Sequence, residues 1–185
     1  GAYDSQVHIN DQAHPDIHDI FREIRALLDA YGERDGKARF SVGEIHMTDL
    51  QRWVSFYGEH LDELHMPFNF HFLFANWNAQ TLQHIIETGE HIIPEGAWPN
   101  FVLGNHDEHR VASRVGADAA RMAMMLLLTL RGTPTIYYGD EIGMHDVDIP
   151  PELEQDPWGK NVAGIGLGRD PERTPMQWDS SPNAG

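Results

Sequence analysis

The sequence predicts an α/β fold built on a parallel sheet, and two observations carry that reading. Short apolar runs alternate with segments of helical period over residues 1–139, and three of those runs finish on Asp, Glu or His. A strand that returns through a helix to the same end of the sheet places successive strand ends on one face, and such folds keep their chemistry there.

The elements follow in chain order. In PDIHDIFREIRALLDAYG the residues Ile17, Ile20, Phe21, Ile24, Leu27, Leu28 and Tyr31 recur at three and four, which predicts an amphipathic helix stopped by Gly32. ARFSVGEIHM reads as a first strand, followed by Thr48 as N-cap of a helix that carries Leu50, Trp53, Val54, Tyr57 and Leu61. ELHMPFNFHFLF reads as a second strand with an edge-like character imposed by Pro67, and a helix spans about residues 79–93. FVLGNHDEHR opens with a third strand. Residues 118–131 form a helix apolar nearly all round, which predicts burial on several faces, and Gly132 with Pro134 ends it before a fourth strand, TPTIYY. Residues 140–185 are rich in Gly, Pro and Asp without a period and read as a long loop after the last strand, associated with the sheet.

Composition excludes several classes of function. Lys and Arg total 13 against 29 Asp and Glu, a formal charge of −16, which repels phosphate backbones and anionic membranes, so no nucleic acid and no membrane partner is expected. The longest apolar run, MAMMLLLTL, is roughly half of a bilayer span and reads as core. No basic-then-apolar signal opens the chain, so a soluble, cytoplasmic protein is expected. Cysteine is absent, which removes disulfide and thiolate chemistry. GIGLG follows no strand and opens no clear helix, so it is not read as a phosphate loop.

The candidate site lies at the strand ends. Glu44 closes the first strand behind Gly43, Asn105, His106 and Asp107 close the third, and Asp140 and Glu141 follow the fourth. Taken alone, Asn105 to Asp107 also fits an Asx turn that merely closes a strand, and Asp140 and Glu141 fit a structural role in holding the loop. Glu44, His46, His106, Asp107 and His109 contain metal-ligand types but no spacing such as His-Glu-x-x-His, so neither a metal nor another cofactor is expected.

Five blocks, SVGEIHMTDL, LHMPFNFHFL, FVLGNHDEHRVASR, LLLTLRGTPTIYYGDEIGM and GLGRDPERTPMQWDSSPNAG, give the chain a resemblance to α-glucosidases of the α-amylase family of glycoside hydrolases. The resemblance implies a partial (β/α)8 TIM barrel, with residues 1–139 as the second half of the catalytic domain, strands five to eight with their helices. It implies hydrolysis of terminal α-linked glucose in oligosaccharides by a retaining mechanism. Glu44 then matches the general acid/base, which needs a partly dry pocket to raise its pKa. Asp107 matches the carboxylate that binds sugar hydroxyls and favours the oxocarbenium-like transition state. His106 matches an imidazole on the same sugar, Arg110 and Asn105 complete the Asn-His-Asp-x-x-Arg pattern, and Phe68 with Phe70 are candidates for an apolar wall.

One element departs from the pattern. Retaining glycosidases use a second carboxylate as nucleophile, carried in this family by an Arg-x-Asp strand end, and no Arg-x-Asp triplet occurs in the sequence. Two expectations stand side by side: an α-glucosidase whose nucleophile lies elsewhere, or a catalytically silent half-barrel that acts in assembly or sugar binding. Half a parallel sheet leaves two open edges, so a homo-oligomer or a complementary half-barrel is expected as partner.

Overall fold

The computed structural model describes residues 13–161 and 168–184 together with Val7 and Ile9, so GIGLG, apart from Gly168, lies outside the described residues. The chain divides into two compact units, one formed by Gly1–Phe68 with Gly89–Pro99 and the other by Asn69–Thr88 with Asn100–Gly185. Residues 140–185 thus fall in the same unit as 100–139.

The first unit opens with α1 (Asp16–Asp35). It runs through Gly32 and ends at Gly36, whose φ of 69° is the left-handed C-cap conformation. Gly32 keeps helical geometry, so the sequence stop lies four residues early; a terminating glycine must sit just past the last turn. The apolar stripe of α1 is only partly covered, with Ile24 43% and Leu27 58% exposed. Polar anchors fix the helix instead. The buried Glu63 carboxylate pairs with His18 Nδ1 at 2.7 Å and accepts from Arg22 Nη1 at 2.7 Å, while Arg25 donates to the Leu61 carbonyl at 2.7 Å. The Phe21 and His18 rings lie against Phe56.

The first two predicted strands shrink to β1 (Val42–Gly43) and β2 (Met66–Pro67), which pair in parallel as a two-stranded sheet. Pro67 is tolerated because the ladder bond comes from the next amide, Phe68 N to Gly43 O at 2.8 Å. Between the strands lies α2 (Leu50–Val54), continued by a 3-10 turn at Ser55–Tyr57 and ending well before Leu61. Its N-cap is Asp49, not Thr48: the carboxylate accepts from Gln51 N and Arg52 N. Trp53, Tyr57, Ile93 and Ala97 form this unit's core. Trp53 Nε1 donates to Phe68 O at 2.8 Å and Tyr57 Oη donates to Trp98 O at 3.1 Å, so both buried aromatics satisfy their polar atoms.

In the second unit the segment read as the end of the second strand turns into α3 (His71–Phe74), and Phe70 is buried. The third and fourth predicted strands survive as single parallel bridges, Asn69 to Phe101 and Val102 to Thr135. Two helices, α5 (Val111–Val115) and α6 (Ala117–Thr129), follow; α5 went unseen because five residues carry no readable period. Arg114 ties α5 down by donating to the carbonyls of Leu73, Leu103 and His109. The helix α4 (Ala79–Ile92) supplies Leu82, Ile85 and Ile86 to a core of Phe72, Phe101, Leu103, Val111, Ala112, Ala120, Ala123 and Leu127. The several-sided burial expected of α6 is not found, since Met122, Met125 and Leu128 are exposed. The predicted loop after residue 139 holds short 3-10 turns at Asp140–Ile142, Pro151–Leu153, Asp170–Glu172 and Pro182–Ala184, and α7 (Pro157–Asn161). Among the described residues no helix is long and apolar enough to cross a membrane.

Phe101 is 2% exposed and its ring centroid lies 5.2 Å from that of Phe72. Phe101→Ala is expected to cost about 3–5 kcal/mol in urea unfolding, whereas Met125→Ala, at an exposed position of the adjoining helix, should stay within about 0.5 kcal/mol; equal costs would contradict this core assignment.

Candidate active site

Of the residues singled out by sequence, Glu44 and Phe68 belong to the first unit and Asn105, His106, Asp107 and Arg110 to the second. Glu44 follows β1 directly. Its side chain is 48% exposed and shares a 2.8 Å hydrogen bond with His46 Nε2, so the dry pocket expected around it is not supplied by the neighbouring chain of this unit. Phe68 is half-buried, with its amide donating to Gly43 O and its carbonyl accepting from Trp53 Nε1.

In the second unit the bridged segment Phe101–Leu103 is buried, and Gly104 follows where a Cβ would stand 3.0 Å from Asp140 Oδ2. Asn105 Oδ1 then accepts from Asp107 N at 2.9 Å, an Asx turn. The Asx-turn reading of Asn105 to Asp107 describes this geometry, with the Asn105 oxygen engaged in the turn.

Asp107 is clamped by two arginines. Arg169 Nη1 donates to its Oδ1 at 2.6 Å and Arg173 Nη2 donates to the same oxygen at 2.9 Å, while Oδ2 lies 3.4 Å from His106 Nε2. Arg173 Nε also donates to the His106 carbonyl at 2.7 Å, so one guanidinium fixes both residues. Partial burial pushes the Asp107 carboxyl up, but the Arg169 hydrogen bond and the charges of His106, Arg169 and Arg173 outweigh it and hold the group below the usual 3.8.

Arg169 has a second anchor. Asp156, with no exposed side-chain surface, accepts from Arg169 Nε at 2.9 Å, from Nη2 at 2.9 Å and from the Arg169 amide at 2.8 Å. This fork is the geometry in which guanidinium and carboxylate bind most strongly. Sequence reasoning missed Asp156, Arg169 and Arg173 because their segment has no period. The available signal was two arginines four apart, in RDPER, within a chain carrying 13 basic against 29 acidic residues.

Arg110, which completes the Asn-His-Asp-x-x-Arg pattern, is enclosed. Its side chain has no exposed surface: Nη1 donates to Tyr138 O at 2.7 Å and lies 3.7 Å from Asp140 Oδ1, and the guanidinium carbon sits 4.9 Å from the ring centroids of both Tyr137 and Tyr138. A guanidinium so enclosed braces the end of the segment that carries Asn105 to Asp107. Burial pushes the Asp140 carboxyl up to about 6 against the pull of Arg110 and Arg114, which fits the structural role read for it.

The Asp156 carboxyl is held well below its ordinary 3.8, first by the side-chain hydrogen bond from Arg169. A depressed folded-state pKa contributes stability that is fully present above the unfolded value and is lost as pH falls through the folded one. Stability is therefore expected to drop below about pH 4, and Arg169→Gln should flatten that acid limb while costing about 2–3 kcal/mol near neutrality. Urea unfolding between pH 2 and pH 7 measures both effects; an unchanged acid limb in the variant would contradict the pairing.

Comparison with known proteins gives the family. The family model described as "Alpha amylase, catalytic domain" matches residues 2–185. The chain is 34% identical over 192 residues to an α-glucosidase of Culex pipiens, covering 100% of the chain and 30% of the relative, and 34% identical over 171 residues to the amino acid transporter heavy chain SLC3A1 of Mus musculus, covering 91% and 24%. Among solved structures it is similar to the α-glucosyl transfer enzyme XgtA, with a TM-score of 0.85 and 32% identity over 99% of this chain and 34% of that one. The chain thus spans a quarter to a third of the length of these relatives. With the family model matched along almost its entire length, the chain belongs to the α-amylase catalytic-domain family.

Proposed function

We propose that the chain supplies strands five to eight of the catalytic barrel of a retaining α-glucosidase that acts on terminal α-linked glucose in oligosaccharides. The observation that carries the reading is the clamp on Asp107. A carboxylate kept ionised by two arginines through Oδ1 presents its other oxygen beside His106, the arrangement needed to accept hydrogen bonds from sugar hydroxyls and to favour positive charge building at the anomeric carbon. The names of the relatives, an α-glucosidase and an α-glucosyl transfer enzyme, supply the substrate class.

In this reading Glu44 is the acid/base. It protonates the glycosidic oxygen as the bond to the leaving sugar breaks, then takes a proton from the water that releases the glucosyl unit. The nucleophile comes from a part of the barrel outside this chain, since no Arg-x-Asp triplet occurs here. The same part would enclose Glu44, whose side chain is half exposed in its own unit. That complement is either further barrel sequence or a second copy.

A second reading rests on the likeness to a transporter heavy chain at 34% identity: the chain keeps the family's frame and serves assembly without turnover. Exchange of the matching segment of the Culex pipiens α-glucosidase for this chain separates the two. A folded chimera is expected to hydrolyse 4-nitrophenyl α-glucoside, and Glu44→Gln within it should lower kcat by about 10²–10⁴-fold. A chimera that melts cooperatively, retains substrate binding and shows no turnover would favour the silent reading.

A further inference from the structure

We propose that His109, Asp146 and Glu172 form a binding site for a divalent transition-metal cation of the Zn2+ type. Their ligand atoms all lie within 4.8 Å of one another, with His109 Nδ1 2.9 Å from Asp146 Oδ2 and 4.0 Å from Glu172 Oε2. The three come from separate stretches of the second unit: the segment after the Asx turn, the loop beyond residue 143, and the 3-10 turn Asp170–Glu172.

The observation that points to a ligand is Glu172. Its side chain is 3% exposed, and among the described residues Oε2 has no hydrogen-bond partner. A buried carboxylate oxygen without a donor is strongly unfavourable unless a cation or a proton satisfies it. Neighbouring contacts meanwhile hold the other groups in position. Asp146 uses Oδ1 to accept from Arg110 N at 2.9 Å, and its own amide donates to Ser113 Oγ at 2.7 Å, which leaves Oδ2 turned toward the imidazole. Val147 N donates to Pro171 O at 3.1 Å, and Tyr137 Oη donates to Glu172 O at 3.3 Å, so both carboxylate-bearing loops are tied down.

The donor set selects the ion. One imidazole nitrogen and two carboxylate oxygens suit Zn2+ and its neighbours, whereas Ca2+ takes six to eight oxygens and Mg2+ prefers an all-oxygen octahedron. Bonds of about 2.0–2.2 Å in a tetrahedron place ligand atoms roughly 3.4 Å apart, between the 2.9 Å and 4.0 Å separations present. The fourth position falls to water, since burial decreases from Glu172 at 3% exposed to His109 at 61%. For the cation to take His109 Nδ1, the proton between that nitrogen and Asp146 Oδ2 gives way and the neutral imidazole carries its proton on Nε2. Glu172 precedes Arg173, the arginine bonded to Asp107 and to the His106 carbonyl, so occupancy would stiffen one arm of the clamp.

The chain, stripped with chelator, should bind one equivalent of Zn2+ in calorimetry, melt at a higher temperature with Zn2+ than without, and give the intense visible absorption of tetrahedral Co2+ when loaded with that ion. Glu172→Gln and His109→Ala should each weaken binding by about 100-fold or more and abolish the Co2+ bands. His109 is exposed and its removal leaves the core intact, so His109→Ala decides if Glu172→Gln does not fold. Absence of saturable binding to the wild type, or stoichiometry and bands unchanged in His109→Ala, would overturn the proposal.

Discussion

Arg169 holds two carboxylates at once, and the second unit's chemistry depends on that bridge. Asp156 anchors the guanidinium through a buried fork, and the remaining nitrogen reaches Asp107 at 2.6 Å. Asp156 is not tolerable alone at its depth: a buried carboxylate without a partner either protonates or destabilises the fold. Pairing both to one cation makes the segment that carries α7 and the Asp170–Glu172 turn the support of Asn105 to Asp107. Arg173 adds a second bond to Asp107 and a bond to the His106 backbone, so the turn from Asn105 to Asp107 is held from the loop side as well as from its own Asx hydrogen bond.

A different pair keeps the strand end in register. Gly104 lets Asp140 approach, and Asp140 in turn faces the enclosed Arg110, whose remaining contacts are the Tyr138 carbonyl and two tyrosine rings. Charge inside this unit is thus divided between a structural pair, with Asp140 raised toward neutrality, and an outward-facing group, Asp107, kept ionised. Opposite shifts in two carboxyls a few residues from one strand end suit a site in which one acid must stay charged while the other only supports it.

What was legible in the sequence followed periodicity and motif. The helix at Asp16–Asp35 has enough turns to display its stripe, the one at Ala117–Thr129 showed as a long apolar run with a Gly and Pro stop, and the strand ends were marked by apolar runs meeting acids. Strand extent was not legible: apolar runs such as ELHMPFNFHFLF hold a two-residue strand and then a helical turn, and composition alone does not separate them. The enclosure of Arg110 was not legible because a motif gives residue types but not depth. Asp156 and Arg169 stayed invisible because the partners lie 13 positions apart and meet through their side chains, with no periodic pattern to betray it. Family membership, by contrast, needed only the order of the five blocks.

The charge state of Asp107 tests the account most directly. A carbon-13 carboxyl titration of the chain, with the Asp107 resonance assigned from its loss in Asp107→Asn, should show this group titrating below the ordinary 3.8 and moving back up in Arg169→Gln. A resonance that titrates at or above the ordinary value in the wild type, or one indifferent to Arg169, would contradict the clamp and with it the role assigned to Asp107.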